Sequence, residues 1–252
     1  MIIIKSPREI DLMRKAGELT AKVFDVVGPM VKPGVSTLEL SEAAEKVITD
    51  GGGIAASKGY GGFPGAICTS VNEVLVHGIP SNKKILTDGD IVSLDVVAKL
   101  NGYCGDACRT YPVGICSEET LRLIKVTEEC FFDAVALVHE GARLGDISHA
   151  IEARAKANGY SVPLEYTGHG IGEEMHEDPY IPDYGKAGTG PILKEGMTLA
   201  IEPMVLEGKN TLRTLKDGWT TLSKDGKKSS HYENTILVTK DGYEILTRSG
   251  KE

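Results

Sequence analysis

A spacing of 107 residues recurs at four places in the sequence and constrains the fold more than any other feature. The pairs at this spacing are residues 30–34 with 137–141, Gly52 with Gly159, residues 86–89 with 193–196, and Asp95 with Glu202. The period is too long for a solenoid, whose repeats have roughly 20–50 residues. We therefore predict one domain, residues 1–252, with two related halves, about 1–113 and 114–252, that meet face to face. Chance similarity of glycine turns is the alternative.

Each half is predicted to begin with two helices and to continue into strands. Ser6 is a suitable N-cap for the first helix, with Pro7 in the first turn and Glu9 completing a capping box. Ser36 or Thr37 would cap the second helix. Further helical patterns cover residues 118–140 and 147–158, and strand-like runs cover 66–71, 91–99 and 110–113. This order predicts a mixed α/β fold.

Composition and charge argue against several classes of protein. Of the 252 residues, 41% are hydrophobic and 25% are charged, which is ordinary for a globular protein. The formal net charge of -8 argues against DNA as a partner, because its phosphates require a basic surface. No apolar run approaches the ~20 residues that span a bilayer, so we expect no membrane partner. The five cysteines and the lack of an export signal predict reduced thiols in the cytoplasm.

Two acidic residues stand inside strongly apolar runs. Asp95 lies within residues 91–97, and Glu202 lies within residues 198–205. A carboxylate buried in such a strand is costly without a partner, so each requires a cation or a hydrogen-bond network. Neither run contains a basic residue that would form an ion pair within the strand.

A third acid is brought close to the first by a predicted hairpin. The pair Asn101-Gly102 is a strong turn signal. Pairing the strands on either side of it places Asp95 and Asp106 side by side. Adjacent carboxylates repel unless one is protonated or a cation lies between them, and a divalent cation is the natural partner.

Two further residues complete a predicted set of metal ligands. Glu233 begins an apolar strand in the second half, and His169 stands between Gly168 and Gly170, which leave room for an ion to approach. The glycine-flanked histidine is a weak signal by itself and becomes specific beside the four strand-borne acids. Four carboxylates and one imidazole suit a two-metal site for Mn²⁺, Fe²⁺, Co²⁺ or Zn²⁺ better than a structural zinc site. Such a site predicts a metal-dependent hydrolase.

Several segments together resemble the type I methionine aminopeptidases of the pita-bread metallopeptidase family. They are residues 71–80, 89–95, 105–106, 168–172, 201–203 and 232–235. The resemblance covers nearly the whole chain. It implies a single catalytic domain with two pseudo-symmetric helix–helix–strand halves, a central, curved, mostly antiparallel sheet, and helices on the outer face of that sheet. Relatives that cleave before proline share the ligand set, but residues 71–80 and the length of the chain favour the methionine aminopeptidases.

The resemblance implies a role for each predicted ligand of a centre with two divalent metal ions. Asp95 would bind one ion, and Asp106 and Glu233 would bridge both. His169 and Glu202 would complete the other. Glu202 would also exchange protons with the attacking water, first as general base and then as general acid.

The resemblance also implies which residues surround the substrate. His77 and His176 would be catalytic by hydrogen-bonding the scissile amide and the intermediate, although His77 taken without the family is more typical of a structural histidine. The substrate-binding residues, which form an apolar methionine pocket, would be Tyr60, Phe63, Cys68, His77, Met175, His176 and Trp219. A monovalent cation, Na⁺ or K⁺, would lie near Asn72, Val74 and Ser229.

Several positions depart from the common pattern of this family. Gly61 stands where histidine is frequent, and Met175 stands where phenylalanine is usual. Cys104 and Cys108 flank Asp106 on its own strand face, where bacterial relatives often have histidine and serine. We expect the two thiols to pack as small apolar residues; an approach to the metals is the alternative.

The activity implied by the resemblance is removal of the initiator methionine when the second residue is small. The implied partners are the N-termini of nascent polypeptides, with transient contact to the ribosome, and the implied oligomeric state is a monomer. Two other functions stay open: cleavage before proline on the same fold, and a catalytically silent binding protein. Silent relatives typically lose ligands, whereas all five predicted ligands are present in this sequence.

Overall fold

The computed structural model describes residues 1–248 and contains four α-helices within that range. They are α1 (Pro7–Val27), α2 (Thr37–Asp50), α3 (Glu118–Val135) and α4 (Leu144–Ala157), with short 3₁₀ turns at Gly28–Met30 and Tyr60–Gly62. The last four residues of the predicted second half, 249–252, lie outside the described residues. None of the described helices is both long enough and apolar enough to cross a membrane.

The first helix begins with the capping box that the sequence predicts, and the second helix begins with a capping box as well. The Ser6 hydroxyl accepts a hydrogen bond from the Glu9 backbone N–H, and the Glu9 carboxylate accepts one from the Ser6 N–H at 2.7 Å. Ser36 and Glu39 repeat this arrangement at α2, so Ser36 rather than Thr37 is the cap. These bonds satisfy backbone donors that the first turn of a helix leaves unpaired.

The described strands form one large sheet and two small ones. Their bounds are β1 Ile54–Ala55, β2 Cys68–Val71, β3 Val74–Val76, β4 Ile91–Leu100, β5 Tyr103–Pro112, β6 Thr167–Gly170, β7 Glu177–Pro182, β8 Thr198–Ile201, β9 Met204–Leu206, β10 Leu212–Thr214, β11 Thr221–Ser223, β12 Ser229–His231, β13 Glu233–Val238 and β14 Tyr243–Ile245. The nine-stranded sheet runs β1-β4-β5-β13-β8-β6-β7, with β2 on β4 and β14 on β13. The small sheets are β10-β11-β3 and β12-β9. Every pairing in the three sheets is antiparallel, which confirms the predicted mixed α/β fold with an antiparallel sheet.

Strand β13 holds the middle of the large sheet together. On one side it pairs with β5, with Glu233 opposite Cys108. On the other side it pairs with β8, with Asn234 opposite Ile201. Strands from early and late in the chain therefore meet through a strand that is itself late in the chain.

The helices cover one face of the sheet and leave the other face for polar side chains. In β4, Val92, Leu94 and Val96 are fully buried and pack in one cluster with apolar residues of α1 and α2. Because successive strand residues point to opposite faces, Asp95 and Val97 project to the other side. A second cluster packs β8 and β13 against α3 and α4 through Leu199, Ile201, Ile236, Val238, Phe131, Ile147 and Ile151.

The backbone repeats at the spacing found in the sequence. Helices α2 and α4 each have 14 residues and begin 107 residues apart. Gly34 and Gly141 both have φ +92°, and Gly89 and Gly196 both have φ +86°. A positive φ favours glycine because it has no Cβ, so the four glycines terminate equivalent loops in equivalent conformations.

A buried ion pair ties the start of the chain to β7. Lys5 Nζ lies 2.6 Å from Glu177 Oε2, and the two side chains are 3% and 7% exposed. The Lys5 backbone N–H also donates to the carbonyl of Gly196 at 2.9 Å. Residue Glu177 directly follows His176, so this ion pair anchors the loop that carries that histidine.

Candidate active site

A row of facing residues crosses the sheet where the predicted metal ligands lie. Cys68 on β2 is opposite Asp95 on β4, Asp95 is opposite Cys108 on β5, and Cys108 is opposite Glu233 on β13. Residues directly opposite in an antiparallel ladder share one face of the sheet. Two of the predicted ligands therefore flank a buried cysteine on the same face.

The hairpin between β4 and β5 is present, but its register refines the predicted geometry. Asn101 and Gly102, with φ +52° and +88°, form a two-residue turn, which places Asp95 opposite Cys108. Asp106 is opposite Val97, two residue pairs nearer the turn. Asp95 and Asp106 are thus diagonal neighbours on one face rather than directly opposite residues, and diagonal neighbours remain within reach of a shared ion.

His169 lies on β6, opposite Ala200 of β8. A Cβ on Gly168 would meet the Ala200 carbonyl oxygen at 2.5 Å, so this glycine allows the two strands to approach. His169 Nδ1 lies 2.9 Å from the Gly170 carbonyl oxygen, to which only a protonated nitrogen can donate. That bond leaves the Nε2 lone pair free for a metal, as is usual for histidine ligands.

The His169 Nε2 atom faces two of the acids. It lies 3.3 Å from Glu202 Oε1 and 3.8 Å from Asp106 Oδ2. Glu202 directly follows β8, and its side chain is 12% exposed. Among the described residues, Asp106 Oδ1 and Glu233 Oε1 are buried without a hydrogen-bond partner. Buried oxygens without partners are what a bound cation would satisfy.

Electrostatics at the four carboxylates also favours a cation. Burial raises the pKa of Asp106, Glu202 and Glu233 well above the usual range, and repulsion from neighbouring carboxylates adds to the rise. Burial likewise raises the pKa of Asp95. Divalent cations would offset both causes, and a set of carboxylates with an imidazole fits Mn²⁺, Fe²⁺, Co²⁺ or Zn²⁺.

The structure adds His231, which the sequence reasoning missed. His231 ends β12, and its Nε2 lies 3.5 Å from Glu202 Oε2 and 3.9 Å from Glu233 Oε2. Glu202, His231 and Glu233 can present one ligand atom each within 4.8 Å of one another, as can Asp106, His169 and Glu233. Burial lowers the pKa of His231 to about 4. The signal in the sequence was the spacing of two between His231 and Glu233, which puts alternate residues on one face.

A cavity of about 210 Å³ opens beside these groups. It is lined by all five predicted metal ligands and by the seven residues predicted to bind the substrate. Phe63 and Trp219 meet edge to face with ring centroids 5.3 Å apart, and His77 lies 6.1 Å from Trp219. The structure thus brings the predicted ligands and the predicted pocket residues into one site.

Two further histidines, His77 and His176, line the same cavity as the carboxylates. His77 has φ +58°, which is uncommon for a residue other than glycine, and a Cβ on Gly78 would clash with the Thr69 carbonyl of the neighbouring strand. Burial lowers the pKa of His77 to about 4. The pKa of His176 is also lowered, by burial and by His77, and its Nδ1 lies 2.8 Å from the Tyr60 hydroxyl. Both imidazoles are therefore neutral near pH 7.

Several further lining residues were not anticipated from the sequence. They are Ser57, Val76, Val97, Tyr166, Thr167 and Met204. Strand alternation could have identified two of them, because Val97 follows Asp95 by two and Thr167 precedes His169 by two. The others reach the cavity through tertiary packing that no local pattern specifies.

The departures from the family pattern have visible packing consequences. Cys104 belongs to an apolar cluster with Met13, Val97 and Met175, as expected for a thiol that packs as a small apolar group. A Cβ on Gly61 would lie 3.1 Å from the Trp219 ring. A larger residue at position 61 would therefore press on the pocket wall.

The residues predicted to surround a monovalent cation lie in two adjoining segments. The main-chain oxygen of Asn72 accepts hydrogen bonds from the Ser229 N–H at 2.9 Å and from its hydroxyl at 3.2 Å. Val74 begins β3, two residues further along the chain. Asn72 and Ser229 are therefore in direct contact, with Val74 close to Asn72 in sequence.

Comparison with known proteins links this site to a family of peptidases. The model of metallopeptidase family M24 matches residues 11–240. Methionine aminopeptidase 1 of Bacillus subtilis is 50% identical over 234 residues, which are 93% of this chain and 94% of the relative. The matched range of the family model includes all five predicted ligands of this chain.

Solved structures share the fold. The crystal structure of a methionine aminopeptidase from Thermotoga maritima superposes with a TM-score of 0.97 and 44% sequence identity, covering 99% of this chain and all of the other. A prolidase from Pyrococcus furiosus has a TM-score of 0.80 at 25% identity, covering 98% of this chain and 66% of the other. The pita-bread architecture inferred from the sequence is thus confirmed.

Proposed function

The chain belongs to metallopeptidase family M24, and within it to the methionine aminopeptidases; from this membership we propose that it removes N-terminal methionine from nascent proteins and peptides whose second residue is small. The reaction is metal-dependent hydrolysis of the first peptide bond. The observation that carries the proposal is one cavity lined by all five candidate ligands and by the seven residues of the candidate methionine pocket.

The proposed centre would hold two divalent ions. Asp95 would be a ligand of one ion, His169 and Glu202 would be ligands of the other, and Asp106 and Glu233 would be ligands of both. The unpaired buried oxygens of Asp106 and Glu233 support this assignment. When bound, such ions polarise the scissile carbonyl and lower the pKa of water so that it attacks at neutral pH. Co²⁺, Mn²⁺, Fe²⁺ and Zn²⁺ all suit the donor set.

Proton transfer is assigned to Glu202. Glu202 directly follows β8, and its side chain lines the cavity, where it can act as a general base. Glu202 takes a proton from the attacking water and passes it to the departing amine. His77 and His176 hydrogen-bond the scissile amide and the intermediate, and they do so as neutral groups because burial lowers their pKa.

Specificity for methionine is assigned to the apolar wall of the cavity. Phe63, Met175 and Trp219 offer aromatic and thioether surfaces, and Cys68 lies beside Asp95 on the adjoining strand. An unbranched thioether side chain packs well against aromatic rings and a flexible methionine. Tyr60 stands at the exposed rim, where its hydroxyl contacts His176.

The surroundings of the enzyme complete the proposal. We assign it to the cytoplasm as a monomer of one catalytic domain that meets nascent N-termini during transient contact with the ribosome. A Na⁺ or K⁺ ion near Asn72, Val74 and Ser229 would steady the loop before β3. The acidic net charge of -8 supports the absence of DNA as a partner.

A pair of peptides tests the proposal. The protein reconstituted with Co²⁺ or Mn²⁺ should release methionine from Met-Ala-Ser and leave Ala-Pro-Ala intact, as measured by chromatography of the products. Met-Leu-Ser is the matched control, because its bulky second residue should slow release strongly. Cleavage of Ala-Pro-Ala without cleavage of Met-Ala-Ser would assign the chain to proline-directed hydrolysis instead.

A further inference from the structure

Besides His169, the centre contains a second buried imidazole, that of His231, which has no role among the proposed metal ligands. His231 is 2% exposed, and its Nε2 has no hydrogen-bond partner among the described residues. An unpaired buried polar atom costs free energy unless a ligand or another group satisfies it. The position of this nitrogen beside the acids indicates which ligand that is.

The main chain holds His231 rigidly. The Thr110 hydroxyl donates to the His231 carbonyl oxygen at 2.8 Å and accepts from the His231 N–H at 3.0 Å. Ser93 Oγ lies 2.8 Å from the same hydroxyl, and β12 pairs His231 with Met204. A backbone fixed through neighbouring strands in this way restricts where the imidazole can lie, which favours preorganised binding.

The distances fit shared coordination better than hydrogen bonding. His231 Nε2 is 3.5 Å from Glu202 Oε2 and 3.9 Å from Glu233 Oε2, which is too long for a good hydrogen bond. Ligand bonds of about 2.0–2.2 Å put neighbouring ligand atoms of one ion about 3.0–3.5 Å apart. His169 Nε2 has the matching separation, 3.3 Å, from the other oxygen of Glu202.

We propose that His231 is an additional protein ligand of the metal centre and shares an ion with Glu202 and Glu233. The inference rests on the proposed function, because it concerns the ions of that site. It adds a second imidazole to the donor set of the centre, next to the Glu202 oxygen that does not face His169. Imidazole favours Co²⁺, Fe²⁺ and Zn²⁺ relative to Mn²⁺, so His231 would shift the metal preference of the site.

Pulsed electron paramagnetic resonance tests the inference on the full protein loaded with two equivalents of Mn²⁺, so that both metal sites are filled. Hyperfine coupling from coordinated imidazole should reveal two nitrogens in the wild type, and labelling histidine with ¹⁵N should shift both. His231→Gln keeps a polar side chain without an imidazole and should show one nitrogen. His169→Gln is the matched control and should also show one.

Calorimetry supplies a second readout. His231→Gln should bind Co²⁺ at least about 10-fold more weakly than the wild type and Mn²⁺ less affected. One coupled nitrogen in the wild type, or two retained in His231→Gln, would overturn the inference. The wild-type count stands even if a variant fails to fold. Cleavage of Met-Ala-Ser by protein with one coupled nitrogen would leave the proposed function intact, whereas absence of metal binding would count against both.

Discussion

Strands β4 and β8 begin 107 residues apart and then diverge. β4 runs for ten residues from Ile91 and turns into β5, so that Asp95 stays inside a hydrogen-bonded ladder. β8 runs for four residues from Thr198 and stops before Glu202. Pro203 follows at once, and because proline has no N–H it cannot continue the ladder.

The difference separates two kinds of ligand. The first half contributes Asp95 and Asp106 from a single continuous hairpin. The second half contributes His169, Glu202 and Glu233 from three separate places in the chain. At equivalent positions, Asp95 is fixed within a strand ladder and Glu202 stands at the end of a strand. Because Glu202 is less constrained by neighbouring strands, we infer that Glu202 transfers the protons.

Conservative substitutions at the equivalent positions Asp95 and Glu202 should affect catalysis in different ways. Glu202→Gln should lower kcat for Met-Ala-Ser by about 10²–10⁴-fold, because a general base is removed. Asp95→Asn should act mainly through weaker metal binding, so that excess Co²⁺ or Mn²⁺ restores much of its activity. Steady-state kinetics as a function of metal concentration measures both effects.

Metal content measured on the same samples is the control for this pair. Glu202→Gln should remain slow even when it holds as much metal as the wild type. Equal recovery of both variants by added metal would remove Glu202 from proton transfer.

Two equivalent glycines should also differ when replaced. Gly89 and Gly196 both have φ +86°, so alanine costs about 1–2 kcal/mol at either site. A Cβ on Gly196 would lie 3.0 Å from the Lys5 carbonyl oxygen, whereas the nearest atom to one on Gly89 is 3.7 Å away. Gly196→Ala should therefore lower the free energy of unfolding by about 1 kcal/mol more than Gly89→Ala, as measured by urea denaturation.

A second pair of glycines provides the control. Gly34 and Gly141 share φ +92°, and a Cβ would meet nothing within 4 Å at either position. Alanine should cost the same at both within about 0.5 kcal/mol. Unequal effects here would show that the halves differ in stability for reasons beyond the local clash.

Asp183 supports the backbone next to Glu202 and should make the stability of the second half depend on pH. This fully buried acid lies behind the strand that follows Glu202, and its Oδ2 accepts from the Met204 N–H at 2.8 Å. Burial raises the pKa of Asp183 well above the usual range of an aspartate. A carboxyl with a raised folded-state pKa stabilises the fold below the unfolded pKa, and this contribution is lost as pH rises through the folded pKa.

Asp183→Asn should remove that pH dependence. In metal-free protein, the free energy of unfolding of the variant should rise relative to that of the wild type between pH 4.5 and pH 7, by up to about 1.4 kcal/mol per pH unit. Urea denaturation at each pH gives the difference. A pH-independent difference would mean that Asp183 keeps its ordinary ionisation in the folded protein.

Local chemistry made much of the fold predictable. Ser6 and Glu9 specify the start of α1 through a capping box that needs only four residues. The turn at Asn101 and Gly102 specifies the β4–β5 hairpin in the same local way. The acids in apolar strands stood out because burying an unpaired carboxylate is so unfavourable.

What escaped prediction depends on contacts between distant strands. His231 reaches the centre through the pairing of β12 with β9 and the bonds to Thr110, which lies 121 residues earlier. No nearby residue specifies that pairing. The place of β13 between β5 and β8 was hidden for the same reason, because nothing within residues 233–238 specifies which strands pair with them.

The central place of β13 has a consequence for the order in which the chain is made. Translation proceeds from the N-terminus, so β4, β5 and β8 leave the ribosome before the strand that joins them. Until β13 arrives, the facing edges of β5 and β8 lack their partner, and such edges invite pairing with other chains. An enzyme proposed to trim nascent proteins therefore cannot have a complete active site while it is itself nascent. The site is complete only when β13, which begins at Glu233, has left the ribosome and paired with β5 and β8.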